Sequence, residues 1–225
     1  MKIKVYCIDA VEGMKKLPDN SIDLIIADPP YCSDIEWDRA TPEWHFKWLR
    51  EGKRVLKDGG ALYVFFAPLN MYEVEGFIRR EFNLRNILVW HHPNLYGAGM
   101  SYGRDRYKST WDVVFYAIKG EKARIENVGY RAYKFGSGFD VIISPQPRPL
   151  LHKAQKPLKV IMKFIYSSSN EGDLVLDPFL GSGTTAVACK MLNRNFIGFD
   201  IKQEYVELTK RRLKNTPSSL KAVFG

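Results

Sequence analysis

The chain has 225 residues, 45% of them hydrophobic and 26% charged. That is enough for one full core and short for two, so a single domain over 1–225 is expected. No run nears the roughly 20 apolar residues of a membrane span, and the N-terminus alternates Ile3, Val5 and Cys7 with polar residues instead of forming the apolar stretch of a secretion signal, which points to the cytoplasm. The formal charge of +9 is concentrated, since residues 91–160 hold 12 Lys or Arg against 5 Asp or Glu; such a field suits a polyanion or a plainly solvated basic surface.

In chain order, a strand-like run over Ile3–Ile8 leads into Asp9-Ala10. A second, Asp23–Ala27, runs into Asp28-Pro29-Pro30-Tyr31. Helical patterns over Pro42–Leu56 and Met71–Phe82 flank a strand at Ala61–Phe66. The runs Asn86–Trp90 and Asp112–Ile118 have no helix between them, which predicts a long hairpin and one antiparallel strand at the sheet edge. Residues 120–149 break the rhythm with glycines and prolines among Tyr130, Arg131, Tyr133 and Lys134, and are read as a small inserted element. Helix Pro157–Ser167, strand Leu174–Asp177, helix Thr184–Leu192, strand Phe196–Asp200 and helix Gln203–Leu213 follow. Seven strands alternating with helices predict a doubly wound, mostly parallel α/β sheet. Cys7, Cys32 and Cys189 have neither disulfide-framework nor zinc spacing and are read as reduced thiols.

Two segments carry chemistry. After Leu174–Asp177, the residues Pro178-Phe179-Leu180-Gly181-Ser182-Gly183-Thr184 turn sharply into a helix whose N-terminal amides and dipole favour an anionic ligand group. A P-loop is disfavoured because no Lys follows Gly183. A dinucleotide site stays open, because Gly181-x-Gly183-x-x-Ala186 followed by Asp200 satisfies its pattern, with the acid serving ribose hydroxyls.

The tetrapeptide Asp28-Pro29-Pro30-Tyr31 sits where a parallel strand ends, the place where open α/β sheets bind ligands. Consecutive prolines make that loop stiff. An exocyclic base amine is a poor nucleophile because its lone pair is delocalised into the ring. The Asp28 carboxylate and the Pro29 carbonyl are suited to accept its two N–H bonds and aim the lone pair, while Tyr31 stacks on a flipped-out base. Direct transfer from an activated sulfonium needs no metal, and none is expected.

Together these segments resemble the S-adenosylmethionine-dependent N6-adenine and N4-cytosine DNA methyltransferases, in the permuted β group whose catalytic motif precedes the cofactor motif. The resemblance implies a Rossmann-like methyltransferase fold over most of the chain, S-adenosyl-L-methionine as cofactor and DNA as partner. A second copy of the chain and a cognate restriction endonuclease are further partners it admits. It places Asp28, Pro29, Pro30 and Tyr31 at the target amine. It places Asp9, Ala10, Lys156, Asp177, Pro178, Phe179, Gly181, Ser182, Gly183, Thr184 and Asp200 at the cofactor. Lys156 belongs to His152-Lys153-Ala154-Gln155-Lys156-Pro157, similar to the family's H-P-T-Q-K-P element, although Lys153 and Ala154 replace the commoner Pro and Thr and Asp200 stands where Glu is more usual. Trp37-Asp38 after the catalytic loop also fits. The D-P-P-Y form resembles adenine N6 enzymes more than cytosine N4 enzymes.

For DNA contact, the basic loop Pro93–Thr110 offers Arg104, Arg106 and Lys108, and the insertion offers Arg131 and Lys134. Trp44 and Trp48, at i and i+4, fit a helix packing face. His91-His92 lack partners at metal-ligand spacing. Two other classes remain, a non-catalytic nucleic-acid-binding protein of the same fold and an NAD-dependent oxidoreductase.

Overall fold

The computed structural model of the protein describes residues 1–32, 40–93, 109–136, 138–148 and 155–217. Strand β1 (Ile3–Cys7) is followed by β2 (Ile22–Ala27), which is buried at every position, the pattern of a parallel strand covered on both faces. β2 lies between β3 (Leu56–Phe66) and β7 (Leu174–Asp177), parallel to both. Beyond β7 come β8 (Asn195–Asp200) and then β1, also parallel. Beyond β3 come β5 (Trp111–Ile118), antiparallel to it, then β4 (Asn83–His91) and β6 (Val141–Ile143). The order is β1-β8-β7-β2-β3-β5-β4-β6 in one eight-stranded sheet.

This corrects two expectations from the sequence. There is an eighth strand, β6, inside the segment read as an insertion; three residues between glycine- and proline-rich stretches are too few for alternation to show. The antiparallel strand is also not at the edge. The β4–β5 hairpin folds so that β5 inserts between β3 and β4, and β6 takes the edge, parallel to β4.

Side chains alternate across the pleat, so each central strand feeds two cores. Leu24, Ile26, Tyr63 and Phe65 face one core, closed by α5 (Leu158–Ser168), α6 (Thr184–Met191) and Val206 of α7 (Gln203–Lys214). Ile25, Ala27, Leu62, Val64 and Phe66 face the other, closed by α1 (Ala10–Lys15), α2 (Pro42–Val55) and α3 (Tyr72–Glu81). Helix α1, not anticipated from the sequence, is short and is started by Asp9, whose Oδ1 accepts from the amides of Val11 at 2.9 Å and Glu12 at 3.2 Å. A short α4 (Val128–Ala132) in the insertion packs against α5.

Candidate active site

The sheet order brings the two sequence motifs together. β2 and β7 pair in parallel register, Leu24 with Val175 and Ile25 with Leu176, so the loops leaving their C-terminal ends are neighbours. Asp28, Lys156, Asp177, Phe179, Gly181, Ser182, Thr184 and Thr185 all line one cleft there, floored by Ile26, Phe65 and Ile161.

On the catalytic side, the Asp28 carboxylate is hydrogen-bonded at both oxygens. The Tyr31 hydroxyl donates to Oδ1 at 2.6 Å, and the Lys156 ammonium donates to Oδ2 at 2.6 Å. Both contacts fix the carboxylate plane while leaving each oxygen a second lone-pair direction. Lys156 is buried and lies over the rings of Tyr31, Phe65 and Trp90 at 5.4, 5.1 and 5.7 Å. It thus meets the catalytic carboxylate directly, a contact that the cofactor role implied by resemblance did not include. Beyond the prolines, Asn70 anchors the loop by donating from Nδ2 to the carbonyls of Tyr31 at 3.1 Å and Cys32 at 2.8 Å.

On the other side, Gly181 and Gly183 adopt φ of +47° and +76°, a region that L side chains avoid. A Cβ on Gly183 would also lie 2.2 Å from Thr209 Oγ1 of α7. The Asp200 carboxylate organises this turn: Oδ2 accepts from the Gly181 amide and Oδ1 from the Lys202 amide, both at 2.9 Å. From behind, Arg212 of α7 donates to the Ser182 carbonyl at 2.5 Å and to Thr184 Oγ1 at 3.3 Å. Sequence reading assigned Arg212 only to the helix dipole; its reach across to the glycine loop depends on a tertiary packing that no local pattern encodes.

Asp177 ends β7 and is almost wholly buried. Its Oδ1 accepts from the Phe179 amide at 3.0 Å. Burial pushes its pKa up to about 7, with Asp28 and Asp200 adding like-charge repulsion and the Thr185 hydroxyl and Phe179 amide opposing. Phe179 rests on α2, its ring 5.6 Å from Trp44 and 5.2 Å from Trp48. The two tryptophans therefore pack as a helix face, and what they pack against is the cofactor loop.

The anticipated DNA contacts divide. Arg104, Arg106 and Lys108, with the rest of the 94–108 segment, lie outside the described residues, as do Trp37, Asp38, His152, Lys153 and Ala154. Arg131 caps the end of α5, donating to the carbonyls of Tyr166 and Ser169, both at 2.7 Å from Nη2. Lys134 lies over the Tyr166 ring at 4.8 Å. Their first demonstrable role is to bind the insertion to the sheet. Among the described residues no group of three or more His, Cys, Asp or Glu converges as metal ligands, and no helix is long and apolar enough to cross a membrane.

A mostly parallel sheet with a glycine loop after one strand and an amine-accepting carboxylate after its neighbour defines a class I methyltransferase fold. The chain belongs to the DNA methylase family of N6/N4 methyltransferases, whose profile matches residues 22–211. It is 31% identical over 94% of its length to the type II methyltransferase M.BamHI of Bacillus amyloliquefaciens, of which it spans 57%. It is 30% identical over 91% of its length to the DNA adenine methyltransferase YhdJ of Escherichia coli K12, of which it spans 80%. Among solved structures, the cytosine-N4-specific PvuII DNA methyltransferase superposes with a TM-score of 0.79 at 21% identity, covering 94% of this chain and 86% of its own. The M1.HpyAVI–SAM complex superposes with a TM-score of 0.69 at 28% identity, covering 94% and 100%.

Proposed function

We propose that this chain transfers a methyl group from S-adenosyl-L-methionine to the N6 amine of an adenine in DNA, the base being turned out of the helix into the cleft. The observation that carries the reading is the position of Asp28: its carboxylate, held by Tyr31, stands at the end of β2 directly beside the cofactor loop of β7. S-adenosyl-L-methionine supplies an activated methyl group on a cationic sulfur. The chain's residues supply placement. The Gly181–Gly183 turn lets main chain approach the ligand, Asp200 fixes that turn and Phe179 gives an apolar wall.

The target amine donates to Asp28 and to the Pro29 carbonyl. Their two acceptor directions, held rigid by the proline pair, favour pyramidal nitrogen and aim its lone pair at the methyl. As the nitrogen gains positive charge, the carboxylate stabilises it; Lys156 balances that carboxylate before the amine arrives. After transfer, the amine loses a proton to Asp28 or to solvent. DNA approaches from the same sheet edge, with the basic segment around Arg104, Arg106 and Lys108 and residues 120–149 as its recognition element; the remainder of 1–225 forms one methyltransferase domain.

The acceptor pair recognises an amine and not a ring, so cytosine N4 is the competing target. The choice of adenine is supported by the D-P-P-Y form and by the likeness to YhdJ. Incubation with unmethylated DNA and mass analysis of the released nucleosides tests it: N6-methyladenosine is expected, and N4-methylcytidine as sole product overturns it.

A further inference from the structure

His45, in α2, is fully buried among aromatic rings, 5.1 Å from Phe66 and 5.0 Å from Trp44. Its Nδ1 accepts from the Trp48 indole N–H at 3.1 Å. Indole nitrogen only donates, so this contact assigns the tautomer: a neutral ring must carry its proton on Nε2. Nε2 has no hydrogen bond of regular geometry. The hydrogen-bonding group beside the ring is the Pro30 main chain, which raises the imidazole pKa, while the larger effect of burial lowers it to about 4. A buried donor left without a partner is costly. Here it adjoins the stiffest part of the catalytic loop, and Phe66 stacks on both His45 and Tyr31, 5.4 Å from the latter.

We infer that His45 is a positioning residue of the catalytic loop: its Nε2–H, set by Trp48, is the donor that engages the Pro30 carbonyl and thereby fixes where the preceding Pro29 carbonyl points. Hydrogen bonds of active sites are often misaligned in the free protein and tighten with substrate in place. The Pro29 carbonyl is one of the two acceptors for the target amine in the function proposed above, and the catalytic consequence rests on that reading. The positioning itself does not.

His45→Phe keeps ring, volume and burial and removes both nitrogens; His45→Gln places an amide donor at the reach of Nε2. In the full chain, hydrogen exchange at the Tyr31 and Cys32 amides reports loop order with no substrate needed. Exchange about tenfold faster in His45→Phe is expected, with His45→Gln close to wild type. In methyl transfer to unmethylated DNA, His45→Phe lowers kcat by about ten- to hundredfold with KM for DNA and cofactor affinity nearly unchanged, and His45→Gln recovers most of it. Wild-type exchange in His45→Phe, or equal acceleration in both variants, overturns the positioning role. Wild-type protein that binds cofactor but never methylates DNA overturns the functional reading instead, leaving the exchange result to decide on His45. Should His45→Phe fail to fold, Trp48→Phe removes the donor that sets the tautomer; accelerated exchange supports the inference and unchanged exchange sinks it.

Discussion

The two loops that meet at the end of β2 and β7 are held in opposite ways. The catalytic loop is stiff in itself, because two prolines remove its freedom, and side chains merely orient it: Asn70 grips the carbonyls of Tyr31 and Cys32, while Tyr31 and Lys156 hold the Asp28 carboxylate. The cofactor loop is intrinsically free, with two glycines at positive φ, and is ordered from outside by Asp200, Thr209 and Arg212. Chemistry is placed on the loop that needs little help to hold its shape. Binding is placed on the loop whose main chain must come close to a ligand. The loops should therefore fail differently, one in turnover and the other in affinity.

Asp28→Ala gives the sharpest break. Loss of the acceptor should lower turnover by about a thousandfold or more, while calorimetry finds cofactor affinity within a few-fold of wild type. Turnover near wild type would remove Asp28 from the chemistry. Gly183→Ala attacks the other loop: the new Cβ meets Thr209 Oγ1 at 2.2 Å and φ is +76°. Strain and displacement of α7 should together cost on the order of 2–4 kcal/mol in folding and weaken cofactor binding more than any change in turnover at saturation. Unchanged affinity would show that the turn's shape is immaterial.

Arg212→Met keeps the aliphatic stem of the side chain but removes its bonds to Ser182 and Thr184. A rise in cofactor Kd of about tenfold is expected, with kcat at saturation preserved. A fall in kcat at unchanged Kd would invert the comparison and make the glycine loop a catalytic element.

The same contrast explains what was legible in the sequence. Both loops announce themselves locally, one by Asp28-Pro29-Pro30-Tyr31 and the other by Gly181-x-Gly183 after an apolar strand, and the central strands are unbroken apolar runs. The braces do not announce themselves. Asn70 is one polar residue in a 3₁₀ turn, Arg212 one cation among several on an amphipathic helix, and Lys156 one element of a motif whose contact with Asp28 depends on chain reversal across the sheet. His45 had a faint signal, a titratable residue between Trp44 and Trp48 on a helix with a packing face. β6 had almost none, because its pairing with β4 is set by how the hairpin folds back.

Asp177 connects the two loops, and its titration is the gentlest test of the comparison. The folded protein holds its carboxyl proton up to about pH 7, against an ordinary value of 3.8, chiefly because burial penalises the charge. Between about pH 4 and 7 the folded state therefore binds a proton that the unfolded chain has released. Stability from this group is greatest below pH 4, falls as pH rises through that window and is level above 7. Asp177→Asn should accordingly stabilise the free protein most above pH 7, by up to on the order of 4 kcal/mol, and not at all below pH 4. The cofactor is cationic at sulfur and the cleft is lined by Asp177. Its affinity for wild-type protein should therefore rise from pH 6 to pH 8 by at most about tenfold relative to Asp177→Asn, measured side by side so that titration of the cofactor cancels. Parallel pH profiles in the two proteins would mean that Asp177 acts only through the Phe179 amide, as a fixed part of the loop and not as its charge.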